Sequence, residues 1–509
     1  MFTETDAKEQ VVAWTEGLLR PYLKRLPTAT AIQRAGKLVR DPVHGFHWLR
    51  PHEILVLDSP VVQRLRYIHQ TGLAYVIYPS AQHTRFDHSL GVCKNATSMV
   101  EALSDTGRFM APPEDRAVLR MAGLVHDVGH CLFSHLSEEI MCAQFEDLVT
   151  RLQNSLTFSG TGAGLHEMIG YWIVTSDVFG ELLALASEVA GLNLDGKRIT
   201  QLMVGRADQA NQWQADIIHG PIDADRLDYI MRDSYFCGYR VDLDTDRFFY
   251  LSSVMDYPGA PRYLCLPVGG IPVVEQILFT RGLMYPAIYH HQKVRAAECL
   301  AKGIFEVLQT AKAPRHGKLQ LGTIADFLNL SEAEFFVHGE ETPAASRSVE
   351  ALKYRDLPKR CLAISMHTVD QDTRPSSLAD FETLKTKSPT EIADLRKKIY
   401  DRLPKEYKQG LHSLWIDIPP DPDFDRGAEH CLIDLEDGNM PQPLATLKGF
   451  NVQDWLECYE LHKWHAHVFY VADGKAREAV AKAAEEVLEQ DCDLVLNASA
   501  HAKAKYANT

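Results

Sequence analysis

The sequence is poor in features that define several protein classes. Its ten cysteines form no CxxC pair, and it has no run of about 18 apolar residues. These absences argue against a disulfide framework, a zinc ribbon and a membrane span, so we expect reduced thiols in a cytoplasmic protein. The N-terminus, MFTETDAKEQVVAW, lacks a basic segment followed by an apolar one, so no signal peptide is expected.

Positive charge is also in short supply. The chain has 53 Lys and Arg against 68 Asp and Glu, a net charge of −15. This balance disfavours a nucleic-acid partner, although a local basic pocket remains compatible with it. The hydrophobic share of 46% and the charged share of 24% are those of a soluble globular protein.

A length of 509 residues accommodates two to four domains, or one large core with an appendage. The patterns predict an N-terminal arm over 1–36, a mainly helical core over 37–330 and a mixed α/β region of unknown role over 331–509. Within the core, residues 74–78 are apolar and β-branched and predict a strand or extended segment. Residues 273–310 predict one long helix.

The stretch AGLVHDVGHCLFSHLSEE, residues 122–139, is dense in side chains that bind metals or move protons. His126 and His130 are four positions apart, so they share a face if the preceding helix continues that far. A His-Asp pair at the end of an apolar helix needs a partner, and a bound cation would satisfy it. The other members of the stretch are His135, Glu138 and Glu139.

Further clusters lie on either side. The segment AQHTRFDHSLGV carries His83, Arg85, Asp87 and His88, and His166-Glu167 open a later helix. In GPIDADRLDYIMRDSYFCG, four aspartates are interleaved with arginines and apolar residues, and Asp225 and Asp228 share a face. Because buried carboxylates require a cation or hydrogen-bond donors, this helix is a second candidate ligand source.

The helix predicted over 273–310 presents basic and aromatic side chains at spacings near one or two turns. Such a combination suits a phosphate together with a base or sugar, although an amphipathic surface helix gives the same pattern. Its candidate residues are Arg281, Tyr285, Tyr289, His291 and Lys293.

Four ordered motifs, HTRFDHSLGV, GLVHDVGHCLFSH, the HE pair at 166–167 and DADRLDYIMRD, closely resemble the HD-domain metal-dependent phosphohydrolases. Within them the match is to the deoxynucleoside-triphosphate triphosphohydrolase branch, which includes bacterial dGTPases and the mammalian sterile-alpha-motif HD-domain dNTPase. The DPVHG segment is also a feature of that branch. The resemblance covers about residues 40–330 well and the remainder weakly, and it implies a mainly α fold with an HD-domain helical core.

The resemblance implies roles for individual residues. The four metal ligands would be His88, His126, Asp127 and Asp225, and this mixed N/O set suits Mn, Fe, Zn, Ni or Mg without choosing among them. The residues implied to be catalytic are His130, His135, His166, Glu138 and Glu167. Those implied to bind substrate are Gln70, Arg85, Arg226, Tyr229, Asp233, Arg281, Tyr289 and His291.

The implied activity is hydrolysis of a deoxynucleoside triphosphate to a deoxynucleoside and inorganic triphosphate, in a homo-oligomer. Thr71 departs from the branch, where the mammalian enzyme has a bulkier Leu, so a preference for deoxy- over ribonucleotides is not implied. One alternative is an HD-type phosphodiesterase or nuclease acting on another nucleotide or single-stranded nucleic acid. A non-enzymatic nucleotide sensor is disfavoured because all four ligand types are present.

Overall fold

The computed structural model describes residues 3–32, 35–208, 210–256, 259–310, 321–372, 376–419, 431–447, 463–471 and 474–501. Helices dominate these residues, so the predicted mainly α fold is confirmed. The chain divides into two compact units. The first comprises Met1–Arg281, Gly322–Glu332 and Phe424–Val452, and the second comprises Gly282–Leu321, Ala333–Asp423 and Gln453–Thr509.

The helices of the first part of the chain surround the motif-bearing segments. They are α1 Glu4–Leu23, α2 Pro51–Leu57, α3 Pro60–Gln63, α4 Arg85–Asp105, α5 Pro113–Val125, α6 His135–Gln144, α7 Glu146–Gln153, α8 Leu165–Val174, α9 Asp177–Ala190, α10 Gly196–Met203, α11 Gln212–His219, α12 Ala224–Cys237 and α13 Thr245–Leu251. The later helices are α14 Ile271–Met284, α15 Gln292–Thr310, α16 Ile324–Asn329, α17 Glu332–Glu341, α18 Pro343–Lys353, α19 Ser377–Lys385, α20 Pro389–Arg402 and α21 Lys475–Cys492.

The strands form three small sheets. They are β1 Lys37–Asp41, β2 Gly45–Leu49, β3 Ser253–Met255, β4 Tyr263–Pro267, β5 Lys359–Ile364, β6 Leu414–Asp417, β7 Leu432–Asp434, β8 Gln442–Pro443 and β9 Ala466–Tyr470. In the first unit, β1 and β2 form an antiparallel hairpin, and a second sheet has the order β3-β4-β7-β8. The sheet of the second unit has the order β5-β9-β6 and is antiparallel throughout.

The core of the first unit is built on α4. This helix begins with a capping box in which the Thr84 hydroxyl accepts from the Asp87 N–H and the Asp87 carboxylate accepts from the Thr84 N–H. It packs against both α5 and α12. The approach to α12 is close, because a Cβ at Gly91 would lie 1.8 Å from a carboxylate oxygen of Asp228. Only glycine therefore fits at this crossing, and α4 brings its first turn beside the start of α12.

The core of the second unit lies between one face of its sheet and α20 and α21. Val468, Tyr470, Ile399 and Val487 are among its fully buried members. Successive side chains of a strand point to opposite faces, so Ala466, Val468 and Tyr470 of β9 lie together on this face. The other face of β9 carries His467, which is also buried.

Three local predictions differ from the structure. Residues 74–78 are not a strand, since Gly72–Val76 forms a 3-10 helix. The segment 273–310 is not one helix, since α14 gives way to a π-helical turn over Tyr285–Tyr289 before α15 begins. Helix α5 ends at Val125, so His126 and His130 do not share a face of a continuous helix.

Among the described residues, no single helix combines the length and apolar composition that crossing a membrane requires, although the bent pair α8 and α9 together meets that criterion.

Candidate active site

The structure brings three of the predicted metal ligands, His88, His126 and Asp127, within 4.8 Å of one another, and it places Asp225 2.8 Å from His88 and 4.0 Å from His126. His88 comes from the first turn of α4, His126 and Asp127 from the turn that follows α5, and Asp225 from the first turn of α12. The Nε2 atom of His88 lies 2.8 Å from Oδ1 of Asp225 and 3.3 Å from Nε2 of His126. The same His88 atom lies 3.8 Å from Oδ2 of Asp127, and His126 Nε2 lies 3.2 Å from Asp127 Oδ1.

The two imidazoles are held so that their Nε2 atoms face the cluster. His88 Nδ1 lies 2.7 Å from the Asp228 carboxylate, and His126 Nδ1 lies 2.9 Å from the carbonyl oxygen of Gly123. Both partners are acceptors, so each Nδ1 carries a proton and donates it. In the neutral tautomers, two Nε2 lone pairs therefore meet two carboxylates, and a cation among them would relieve the repulsion.

Electrostatics at His88 support this conclusion. Burial alone would lower the pKa of His88, but hydrogen bonds and ion pairing with Asp225 and Asp228 outweigh burial and raise it to about 10. The carboxylates thus stabilise positive charge at a position where the ring is fully buried. The donor set and its electrostatics fit a divalent metal ion held by nitrogen and oxygen ligands.

Arg85 lies beside this cluster. Its Nη1 atom is 3.0 Å from Oδ2 of Asp127, and its Nε donates to the hydroxyl of Ser134 at 3.0 Å. Burial would raise the pKa of Asp127, but Arg85, followed by His126 and His88, lowers it to about 2. Asp127 is therefore a carboxylate across the whole physiological pH range, as a metal ligand must be.

The predicted catalytic residues form a second cluster. His130, His135, Glu138 and His166 each offer a nitrogen or oxygen atom, and these atoms lie within 4.8 Å of one another. Glu138 organises the group, since its carboxylate lies 2.8 Å from His166 Nδ1 and 3.1 Å from His135 Nδ1. The rings of His130 and His166 stack with centroids 3.8 Å apart.

The histidines of this second cluster differ in charge. Burial would lower the pKa of His166, but Glu138 outweighs it and raises the pKa to about 9. Burial lowers the pKa of His130 well below its usual value, and the Arg85 charge adds to this effect. His166 is therefore cationic and His130 neutral near pH 7.

His130 also connects the two clusters. Its Nε2 atom lies 3.5 Å from Oδ1 of Asp127, and neither ring nitrogen makes a hydrogen bond to any described residue. The ring is 1% exposed. Because a buried polar group without a partner is costly, this imidazole calls for a ligand or water molecule beside the metal cluster.

The two carboxylates among the predicted catalytic residues, Glu138 and Glu167, have different partners in the structure. Glu138 contacts two of the predicted catalytic imidazoles, as described above. Glu167 instead pairs with His219 at 3.1 Å and accepts a hydrogen bond from the Gly164 N–H at 2.6 Å. Of the two carboxylates, Glu138 therefore holds the orienting position.

The predicted substrate-binding residues are found in several settings. Gln70 is buried, and its Oε1 atom has no hydrogen-bond partner among the described residues. Arg226 is tied to the backbone before α12, donating to the carbonyls of Gly220 and Pro221. Asp233 is buried and lies 2.8 Å from His83 Nε2.

The remaining predicted contacts lie further along the chain. Tyr229 lies on α12, one turn after Asp225 and half-buried. Arg281 is buried on α14 at the end of the first unit's main segment. Tyr289 and His291 belong to the second unit, and the rings of Tyr289 and Tyr285 pack edge to face at 5.3 Å. These assignments stay predictions.

Asp228 is not among the functional residues predicted from the sequence, yet it supports a predicted metal ligand. Asp228 is fully buried and accepts hydrogen bonds from His88, from Arg232 at 2.8 and 2.9 Å, and from His44 at 2.5 Å. The shared face of Asp225 and Asp228 was the available signal for it. His44, at the turn of the β1–β2 hairpin, gave no such signal because it is 184 positions away from Asp228.

Comparisons with known proteins agree with this architecture. The family model of the HD domain matches residues 85–203, the part of the chain that carries His88, His126 and Asp127. The model of the HD associated region matches residues 255–495. The chain therefore carries a match to an HD domain, followed by a match to an HD associated region.

The chain is similar to deoxynucleoside triphosphate triphosphohydrolase SAMHD1 of Bos taurus, with 27% identity over 279 residues, 53% of this chain and 47% of that protein. It is also similar to an uncharacterised protein of Methanocaldococcus jannaschii, 27% identical over 429 residues, 82% of this chain and 78% of that protein. A third relative is the uncharacterised protein YwfO of Bacillus subtilis, 30% identical over 58% of this chain and 64% of its own length. The match thus spans about half the length of the triphosphohydrolase.

Proposed function

We propose that this protein is a metal-dependent triphosphohydrolase that converts deoxynucleoside triphosphates to deoxynucleosides and inorganic triphosphate. The observation that carries the proposal is the convergence of His88, His126, Asp127 and Asp225, with a second His/Glu cluster 3.5 Å away through His130. The family and the triphosphohydrolase relatives indicate a phosphohydrolase, and their names supply the substrate class.

Lewis-acid polarisation of a substrate phosphate is the chemistry that a divalent ion supplies when bound to such a ligand set. Mn, Fe, Mg, Zn and Ni all suit these nitrogen and oxygen donors. Arg85 lies 3.0 Å from Asp127 and would offset negative charge on the triphosphate. Arg226 is the second basic residue proposed for this task.

His135 is the proposed proton donor to the departing 5′-oxygen. Its side chain is 69% exposed and is hydrogen-bonded to Glu138, so it is both accessible and oriented. His130 is neutral and buried, which suits it to accept a proton or to position a water molecule. His166, held as a cation by Glu138, adds positive charge beside the triphosphate.

Nucleotide contacts complete the proposal. Gln70 offers a buried amide oxygen without a partner among the described residues, which suits a contact to the sugar or base. Tyr229, Asp233, Arg281, Tyr289 and His291 are the other proposed contacts, and Glu167 supports the helix that bears His166. We infer a homo-oligomer in a cytoplasmic setting, and light scattering coupled to size-exclusion chromatography measures the former.

The test is product analysis. Purified protein is incubated with Mn²⁺ and each deoxy- and ribonucleoside triphosphate, and products are separated by anion-exchange chromatography. The proposal predicts deoxynucleoside and inorganic triphosphate in equal amounts. Release of a nucleoside monophosphate or diphosphate would contradict it and favour the alternative phosphodiesterase or nuclease.

Two variants show whether the activity belongs to the proposed site. Asp225→Asn removes one anionic ligand without changing the size of the side chain, and it should abolish triphosphate release. Glu101→Gln makes the same chemical change at an exposed position on α4 and should leave the rate at the wild-type value. Equal activity in both variants would mean that another site is responsible.

A further inference from the structure

The carboxylate of Glu332 is buried at the start of α17, far in sequence from every motif described above. Its side chain is 7% exposed. Oε1 accepts hydrogen bonds from the backbone N–H of His69 at 3.1 Å and from that of Phe133 at 3.3 Å. Oε2 lies 2.5 Å from Nδ1 of His69. One carboxylate therefore joins two backbone segments that are more than 60 residues apart.

Both the 133–134 segment and the 69–72 segment have energetically unfavourable features. Phe133 has a φ of 56° and Ser134 a φ of 55°, values that residues with a Cβ rarely adopt. In the other segment, Gln70 Oε1 and Thr71 Oγ1 are buried without a hydrogen-bond partner among the described residues. Strain and unpaired polar atoms persist only where the surroundings fix the backbone, and such features concentrate at functional sites.

The two segments also contact one another. The Ser134 hydroxyl donates to the carbonyl of His69 at 2.6 Å and accepts from Nε of Arg85. Gly72 has a φ of 54°, and a Cβ there would lie 3.0 Å from the carbonyl oxygen of Phe133. A shift in either segment would therefore move the other.

Each segment leads directly to a residue of the proposed active site. Gln70 follows His69, and His135 follows Ser134 at the start of α6. Ser134 also supports Arg85, which contacts Asp127. Glu332 itself makes no hydrogen bond to the four metal ligands. Its contacts therefore bear on the segments that carry or support the proposed substrate-binding and catalytic residues.

We propose that Glu332 is a positioning residue that locks the 69–72 and 133–134 segments together and so fixes Gln70, Arg85 and His135 for the triphosphate substrate. This role rests on the proposed function for its catalytic consequence. The joining of the 69–72 and 133–134 segments by Glu332, which we call the clamp, is independent of the reaction. It can be measured in protein without substrate.

Hydrogen exchange measures the clamp directly. Full-length, Mn²⁺-loaded protein is compared with Glu332→Gln and Glu332→Leu, and with Glu341→Gln and Glu341→Leu at the exposed end of the same helix. Glu332→Gln replaces a charged acceptor with a neutral one of the same shape, and exchange in peptides covering 66–76 and 129–136 should rise about fivefold. Glu332→Leu removes both acceptors and should produce a larger rise in the same two peptides. The Glu341 variants should match wild type.

Kinetics measure the consequence. Glu332→Gln should lower kcat/KM for a deoxynucleoside triphosphate by about tenfold, with one bound metal per chain retained, because Glu332 itself is hydrogen-bonded to His69 and Phe133 and to none of the metal ligands. A general loss of structure would lower metal content and kcat/KM together, so the retained metal distinguishes positioning from unfolding.

These experiments distinguish failure of the clamp from failure of the proposed function. Wild-type exchange in both peptides of Glu332→Gln would overturn the clamp, as would a rise in only one of them. If wild-type protein releases no triphosphate while the two peptides respond as expected, the proposed function fails and the clamp stands.

Discussion

A buried ion pair of the second unit and the candidate metal cluster of the first unit arrange their charges differently. In the second unit, Arg295 donates to both oxygens of Asp417, at 3.0 and 2.6 Å, and pairs with Glu298 as well. In the first unit, the Nε2 atoms of His88 and His126 converge on two carboxylates. Carboxylates thus form a closed pair with arginine in one place and a candidate ligand set with histidines in the other.

This difference distinguishes buried charges that stabilise the fold from buried charges that are available to bind a ligand. A bidentate arginine–carboxylate pair satisfies its own hydrogen bonds and requires no ligand. The ligand set turns two imidazole Nε2 atoms toward two carboxylates, and the adjacent His130 has two ring nitrogens without partners among the described residues. Substitutions of the predicted metal ligands in the first unit should therefore change the catalytic activity. Substitutions of the Arg295–Asp417 pair in the second unit should change the stability of the fold.

The largest expected effect comes from removing metal ligands. The double variant His126→Ala, Asp127→Ala should lose at least about 10,000-fold in triphosphate release, because both the ion and its Lewis acidity are lost. Metal content measured by mass spectrometry should fall from one per chain to near zero. Retention of full activity would contradict the assignment of His126 and Asp127 as metal ligands.

The matching change in the second unit is Asp417→Ala. It leaves Arg295 buried without its main partner and should lower the free energy of unfolding by about 3–5 kcal/mol. Urea denaturation measures the change, and metal content should be unaffected. The double variant Arg295→Met, Asp417→Leu should recover most of the loss. A variant as stable as wild type would show that the pair is not structural.

A smaller effect is expected where Asp228 supports His88. Asp228→Asn keeps the shape but removes the anionic acceptor that fixes the proton on His88 Nδ1. Affinity for Mn²⁺, measured by calorimetry, should fall about 10- to 100-fold. Glu101→Gln serves as the control on α4, and equal affinity in both variants would show that Asp228 does not orient the ligand.

The smallest effect concerns pH and His467, on β9 of the second unit. Burial lowers the pKa of His467 to about 3, although Asp417 opposes this, and Arg360, His465 and Arg295 add to the lowering. The folded state therefore binds fewer protons than the unfolded state below pH 6.5, and stability falls as pH falls. Between pH 8 and pH 5 wild type should lose about 2 kcal/mol more than His467→Gln. Parallel pH profiles from urea denaturation would contradict the depressed pKa of His467.

The sequence motifs indicated the helical class and the group of residues that converges, because each motif carries its chemistry within a few positions. The points at which helices end or change geometry were harder to predict from the sequence. The segment 273–310 has a helical pattern throughout, but Pro286 lacks an N–H, and the chain forms a π-helical turn there. Spacing also suggested that His126 and His130 share a helical face, whereas α5 ends at Val125.

Long-range partners could not be predicted from local patterns. Asp228 could have been assigned from its spacing to Asp225, since positions three apart share a helical face. Glu332 and His44 could not, because their contacts span 263 and 184 positions and depend on tertiary packing. Residues that complete a site from a distance thus escape motif analysis even when the central ligands do not.

The most direct test of the central claim is a titration of metal-free protein with Mn²⁺ while triphosphate release from a deoxynucleoside triphosphate is followed. Four converging ligands predict no activity in the chelated protein and a linear rise to a plateau at one ion per chain, with no rise for Asp225→Asn. Full activity without metal, or the same rise in Asp225→Asn, would contradict the claim.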